Sequence, residues 1–149
     1  MSQPISFSGV ETFPQPLAEV YAKLADAGTL AGYLPDATVT HRGADSAGWK
    51  VKPKLAFIAG ELDTECTVTV RDPDVRLGYK LDCKGVGSAC VVEAVLNFTP
   101  DGPGTSIAWT GAVTQMTGLL KLAPRGLLEG AAKKVIAESW AAIRSKLAG

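Results

Sequence analysis

The sequence has no charge of one sign to spare. Its 149 residues hold 15 Lys plus Arg against 15 Asp plus Glu, a net charge of zero. A nucleic-acid-binding domain carries a basic excess, so nucleic acid is not an expected partner. Long apolar runs are missing too. None reaches the ~18 residues that a membrane-spanning helix needs, and the start, MSQPISFSGVETF, lacks the basic and apolar regions of a signal peptide. The chain is therefore read as cytoplasmic. There is one histidine, His41, in Thr38-Val39-Thr40-His41-Arg42 beside a turn, where it reads as a surface residue. The three cysteines, Cys66, Cys83 and Cys90, lack C-x-x-C spacing, which argues against zinc and leaves reduced thiols as the expectation. Cys83 and Cys90 lie symmetrically about the Lys84–Ala89 turn and could face each other across a hairpin. They read best as two small buried hydrophobes. Lys84-Gly85-Val86-Gly87-Ser88 is a hairpin turn, not a strand-to-helix phosphate loop. No cofactor, metal or catalytic constellation is expected.

What is present is apolar patterning over a single domain, residues 1–149. Hydrophobic residues make up 46% of the chain, enough for one core without disulfide staples. Ile5 to Phe13 alternates and reads as a strand. Residues 16–25 read as a short amphipathic helix on Leu17, Val20, Tyr21 and Leu24, and a second short helix runs from about Gly28 to Leu34. From 37 to 115 the period is two. Trp49, Val51, Pro53, Leu55 and Phe57 share one face, and Leu62, Thr64, Cys66, Val68 and Val70 share the next. Then come Leu77, Tyr79, Leu81 and Cys83; Cys90, Val92, Ala94, Leu96 and Phe98; and Ile107, Trp109 and Val113. Short breakers between them imply an antiparallel meander covered on one side. After Met116 the period returns to 3.6, and Leu128, Ala132, Val135, Ile136, Trp140, Ile143 and Leu147 form a stripe on a long helix starting near Arg125. The fold class is α+β: a curved antiparallel sheet of six to seven strands gripping a long C-terminal helix, with two short helices after the first strand.

Two charge patterns stand out. Lys50, Lys52 and Lys54 fall on the polar face of one strand and Glu61, Asp63 and Glu65 on that of the next. Pairing 54 with 61, 52 with 63 and 50 with 65 makes a ladder of opposite charges, read as register control on a solvated face. Glu11 shares the phase of Phe7 and Phe13. Either it faces the interior as a polar cavity residue, or a strand irregularity turns it outward and Val10 inward.

Some local patterns are familiar together. Phe7-Ser8-Gly9, Phe13-Pro14-Gln15-Pro16, Glu19-Val20-Tyr21, Leu24-Ala25-Asp26, Leu30-Ala31 and Leu34-Pro35-Asp36 resemble the opening of the carbon monoxide dehydrogenase G-subunit family. Gly60-Glu61-Leu62, Pro100-Asp101-Gly102, Gly104-Thr105 and Gly130-Ala131-Ala132-Lys133-Lys134 fall where that family has similar residues. The resemblance implies a START-like, helix-grip (SRPBCC) domain around a hydrophobic cavity. It implies a lipid- or quinone-like ligand and an accessory role beside a molybdenum-containing dehydrogenase at the inner membrane surface. Three departures stand against the pattern: Leu55-Ala56-Phe57-Ile58 at the third strand's end, Glu11 in the first strand, and a chain that stops at Gly149 without a tail to serve as an anchor.

The resulting expectation is a non-catalytic protein for an apolar small molecule. Leu30, Tyr33 and Leu34 form one wall of the expected site. Phe57, Leu62, Tyr79, Val92, Leu96, Trp109 and Val113 line the sheet. Met116, Leu119, Leu128, Ala132 and Val135 close the top, and Glu11 is the polar cavity residue. One alternative is a cyclase- or dehydratase-like enzyme using Glu11 as acid or base with Tyr79 assisting. The other is a docking module that meets its partner through the charged sheet face.

Overall fold

The computed structural model describes residues 5–34, 37–52, 61–85, 87–118, 121 and 124–148. Strand β1 (Ile5–Phe13) leads into helices α1 (Leu17–Ala25) and α2 (Ala27–Tyr33). Strands β2 (Thr38–Arg42), β3 (Ser46–Val51), β4 (Leu62–Asp72), β5 (Arg76–Gly85), β6 (Ser88–Asp101) and β7 (Gly104–Gly118) follow, and helix α3 (Arg125–Ala148) ends the chain. All neighbouring strands are antiparallel, in the order β1-β7-β6-β5-β4-β3-β2. The first strand thus joins the edge beside the last, and only this pairing departs from a meander.

Sequence chemistry accounts for the elements. Asp26 caps α2, its carboxylate accepting from the Thr29 amide at 2.9 Å, which satisfies one of the amides a helix start leaves open. Ala27 and Gly28 donate to the carbonyls of Ala44 and Gly43 at 3.0 and 2.9 Å, tying α2 to the β2–β3 loop. The Arg71 guanidinium closes the same corner, reaching Asp45 at 2.8 Å and the carbonyls of Ala25 and Ala44 at 2.9 and 3.1 Å. Helix α3 starts at the proline, with the amides of Leu127 and Leu128 donating to the Pro124 carbonyl.

The main core gathers Phe13, Val20, Tyr21, Leu24, Leu77, Tyr79, Leu96, Phe98, Ile107, Ile143 and Leu147 between the sheet, the short helices and the end of α3. A smaller cluster under the start of α3 joins Ile5 and Leu128 to Phe7, Cys90, Val113 and Met116. Its geometry depends on a bulge. The β6–β7 register shifts between Val91 and Val92, so Val92 faces Val113 while Cys90 faces Met116. The extra residue in β7 lets side chains three apart reach the same face.

Two expectations change. The charge ladder is shifted by two residues: Lys50 pairs with Asp63 (Nζ–Oδ1 3.8 Å), and Glu65 stands opposite Gly48. Alternation sets which face a residue takes, but any even shift satisfies it equally. Glu65 instead meets His41, with Nε2 and Oε2 2.6 Å apart on the exposed face. Lys54 lies outside the described residues. Val135 also leaves the buried stripe and is 45% exposed. It lies about 100° of helix rotation from Ile136, beyond the edge of the face that α3 lays on the sheet.

Candidate functional site

Strand β1 is short of a neighbour on one side, and α3 crosses near that edge. Between them lies a groove of about 540 Å³, lined by Ser6, Phe7, Ser8 and Glu11 of β1, Trp109 of β7, and Lys133, Ile136, Ala137, Trp140 and Arg144 of α3. The helical contributors recur at spacings of three and four, so they share one side of α3.

The floor is aromatic. The Trp140 ring lies 6.1 Å from both Phe13 and Trp109, tilted to each. Trp109 pairs across the strands with Gly9, and the indole occupies the space a side chain there would need. A Cβ on Gly9 would meet Trp109 Cζ2 at 2.8 Å. Glycine at this position is what lets the indole lie over β1. The indole Nε1 is buried and has no hydrogen-bond partner among the described residues. A buried N–H donor without an acceptor is uncommon, and leaving one unmade costs about 1–3 kcal/mol.

Charge enters from one end. Arg144 Nη2 donates to Glu11 Oε1 at 2.8 Å, and its guanidinium carbon sits 5.1 Å above the Phe13 ring centroid. The Glu11 side chain is 23% exposed while Val10 is 62% exposed, so β1 runs without the irregularity that would turn Glu11 outward. The groove therefore offers aromatic walls, two cationic side chains and one carboxylate, with the unpaired indole Nε1 buried over Gly9 beside it.

Of the residues expected to form the site, the structure brings Trp109 and Glu11 to this groove. Tyr79 and Leu96 are buried in the main core, and Leu30, Tyr33 and Leu34 pack against it. The Tyr79 hydroxyl donates to the Leu24 carbonyl, and burial pushes it well above the usual phenol range. Glu11 and Tyr79 are thus not brought together. Val113, Met116 and Leu128 belong to the smaller cluster. Leu62, Val92 and Ala132 are half-buried, and Val135 is exposed. Phe57 and Leu119 lie outside the described residues. Sequence reasoning missed Lys133 and Arg144 because neither belongs to the apolar stripe of α3. The available signal was spacing: Arg144 follows Trp140 by four residues, and Lys133 precedes Ala137 by four.

The family model for "Polyketide cyclase / dehydrase and lipid transport" matches residues 4–148. The fold is shared with a conserved protein from Geobacillus kaustophilus at 20% identity, covering 97% of this chain and 95% of that one with a TM-score of 0.83. It is shared also with a START superfamily protein from Mycobacterium smegmatis at 11% identity, 95% coverage of each chain and a TM-score of 0.70. Protein CV1439 from Chromobacterium violaceum aligns at 13% identity over 94% of each chain, with a TM-score of 0.69. No curated protein matches the chain. The narrower likeness to the carbon monoxide dehydrogenase G-subunit family rests on the local sequence patterns alone. With a family match over nearly its whole length and a seven-stranded sheet gripping a C-terminal helix, the chain belongs to the polyketide cyclase/dehydrase and lipid transport family, in the START-like fold.

Proposed function

We propose that this protein binds an amphipathic small molecule in the groove between β1 and α3, its apolar body on the aromatic floor and an oxygen acceptor at the Trp109 end. The observation that carries this reading is the buried, unpartnered Trp109 Nε1 beside Phe7, Ile136 and Trp140. A ligand oxygen there makes the missing hydrogen bond while the ligand's hydrocarbon covers the rings. Arg144 and Lys133 favour an acceptor with negative charge or high electron density. A fatty-acid carboxylate and a quinone carbonyl both meet that requirement, which keeps the lipid- or quinone-like ligand as the substrate class. Glu11 lines the groove, but it accepts from Arg144, and Tyr79, the group the cyclase alternative needs beside it, is held in the main core, so binding without chemistry fits better than that alternative.

Tryptophan fluorescence tests the proposal. Titration with a long-chain fatty acid, the matching alcohol and a short-tailed quinone is expected to quench emission, most strongly with the acid or the quinone. Trp109→Phe keeps the ring but removes the N–H, and is expected to weaken uptake about tenfold, the scale of one hydrogen bond in a desolvated site. No saturable response to any of the three would overturn the reading. The partnership with a molybdenum-containing dehydrogenase is supported by the sequence resemblance and by nothing in the groove. Its test is co-purification of a dehydrogenase with the tagged protein from its own host. No helix among the described residues is long and apolar enough to cross a membrane.

A further inference from the structure

Away from the groove, the inner face of the sheet carries a row of sulfur. Cys83 of β5 stands opposite Cys90 of β6, and Cys90 stands opposite Met116 of β7. Directly opposed residues on neighbouring antiparallel strands have Cβ atoms ~4.5–5.5 Å apart and share a face. The β7 bulge described above is what turns Met116 onto this face. The row ends on Thr64 of β4, opposite Cys83, whose hydroxyl points at Cys83 Sγ from 3.7 Å. All three sulfur residues are half-buried, neither cysteine is in a disulfide, and Cys90 and Met116 pack with Ile5, Phe7, Val113 and Leu128.

We propose that Cys83, Cys90 and Met116 form a binding site for a soft monovalent metal ion, Cu(I). Two thiolates and a thioether are soft donors, and that donor set selects Cu(I) over the harder divalent ions. Zinc takes three or four nitrogen, oxygen or thiolate ligands, and no cluster of three His, Cys, Asp or Glu able to hold a metal occurs among the described residues. The cross-strand register sets the two thiols and the thioether side by side on one face, and a bound ion displaces both thiol protons. Binding replaces two S–H bonds with two S–Cu bonds and releases both protons to solvent. Copper stays Cu(I) throughout, and no electron is transferred. Met116 completes the coordination as a weaker third ligand. The apolar residues around the row limit access to water and oxidant.

The test uses the reduced, full-length protein under anaerobic conditions and Cu(I) held by a chromophoric chelator. The expected result is one Cu(I) per chain drawn from the chelator, with a new ultraviolet band from sulfur-to-copper charge transfer. C83S and C90S are expected to abolish both signals. M116L is expected to weaken binding on the order of tenfold, the scale on which supporting groups tune metal affinity. C66S keeps full binding, because Cys66 is fully buried on β4 and lies outside the row. Circular dichroism of every variant establishes folding, and C83A serves where C83S does not fold. Failure of the reduced protein to draw Cu(I) from the chelator overturns the proposal. So does unchanged uptake by C83S, or conversion of the pair to a disulfide in place of uptake. None of the three sulfur residues lines the amphiphile groove, although Phe7 touches both sites, so fluorescence uptake is read separately.

Discussion

Arg144 and Glu11, 133 residues apart, meet through a 2.8 Å hydrogen bond that ties the last helix to the first strand at the mouth of the groove. The contact closes the grip: β1 holds the sheet edge and α3 lies over it. It also decides what charge a ligand meets first. Glu11 occupies one arm of the guanidinium, and a ligand carboxylate competes with it.

That competition has a sign. Glu11→Gln removes the intramolecular competitor and is expected to tighten the binding of a fatty acid, whereas Arg144→Ala weakens it by at least about tenfold. The pair is partly exposed, so its own contribution to stability is small, about 0.2–1 kcal/mol. Arg144→Ala is expected to cost more than Glu11→Gln because it also removes the cation from the Phe13 ring. Isothermal titration with both variants and thermal melts check the two halves. Weaker fatty-acid binding by Glu11→Gln would count against a carboxylate at this end.

Gly9→Ala tests the floor. The new Cβ would sit 2.8 Å from the Trp109 ring, so the indole must move. Overpacking of this kind costs about 1–3 kcal/mol. The expected outcome is a lower melting temperature together with a shifted tryptophan emission maximum. An unchanged emission spectrum would mean that the indole does not lie over β1.

Tyr79→Phe separates core from ligand contact. The hydroxyl donates to the Leu24 carbonyl inside the main core, and its loss strands a buried acceptor at a cost of about 1–3 kcal/mol. Stability by denaturant titration is expected to fall while amphiphile affinity stays within about twofold, far less than the tenfold change of one lost contact. A selective loss of affinity would return Tyr79 to the site.

Cysteine reactivity gives a pH dependence. Cys83 is lowered to about 7 by the Cys90 thiol first and by the Thr64 hydroxyl, while Cys66 is raised to about 12 by burial. The thiolate is the nucleophile, so iodoacetamide labelling of Cys83 is expected to rise as pH climbs through about 7 and then level off. Cys66 stays unlabelled across that range. Mass spectrometry after proteolysis reads each site. Cys90→Ala removes the stabilising donor and should move the Cys83 transition to higher pH.

Much of the architecture was legible because it depends on local period. The alternation in Ile5–Phe13 defined β1, and the stripe on Leu128, Ile136, Trp140, Ile143 and Leu147 defined α3, since each needs only the geometry of its own element. Cys83 facing Cys90 followed from counting outward from a short turn. The phase of β1 put Glu11 on the side of Phe7 and Phe13, and its side chain is 23% exposed there against 62% for Val10.

The groove itself was a tertiary outcome. Sequence alternation could not choose between registers two residues apart, so it misplaced the Lys50–Asp63 pair. It could not show that β7, after five intervening strands, returns to pair with β1, which alone sets Trp109 over Gly9. Nor could it show which edge of the α3 stripe overhangs β1. That crossing puts Lys133 and Arg144 over the groove and leaves Val135 in solvent. Periodicity is a property of one element along its own axis. Which face meets which neighbour is settled by packing between elements far apart in the chain, where volume and hydrogen-bond register act together.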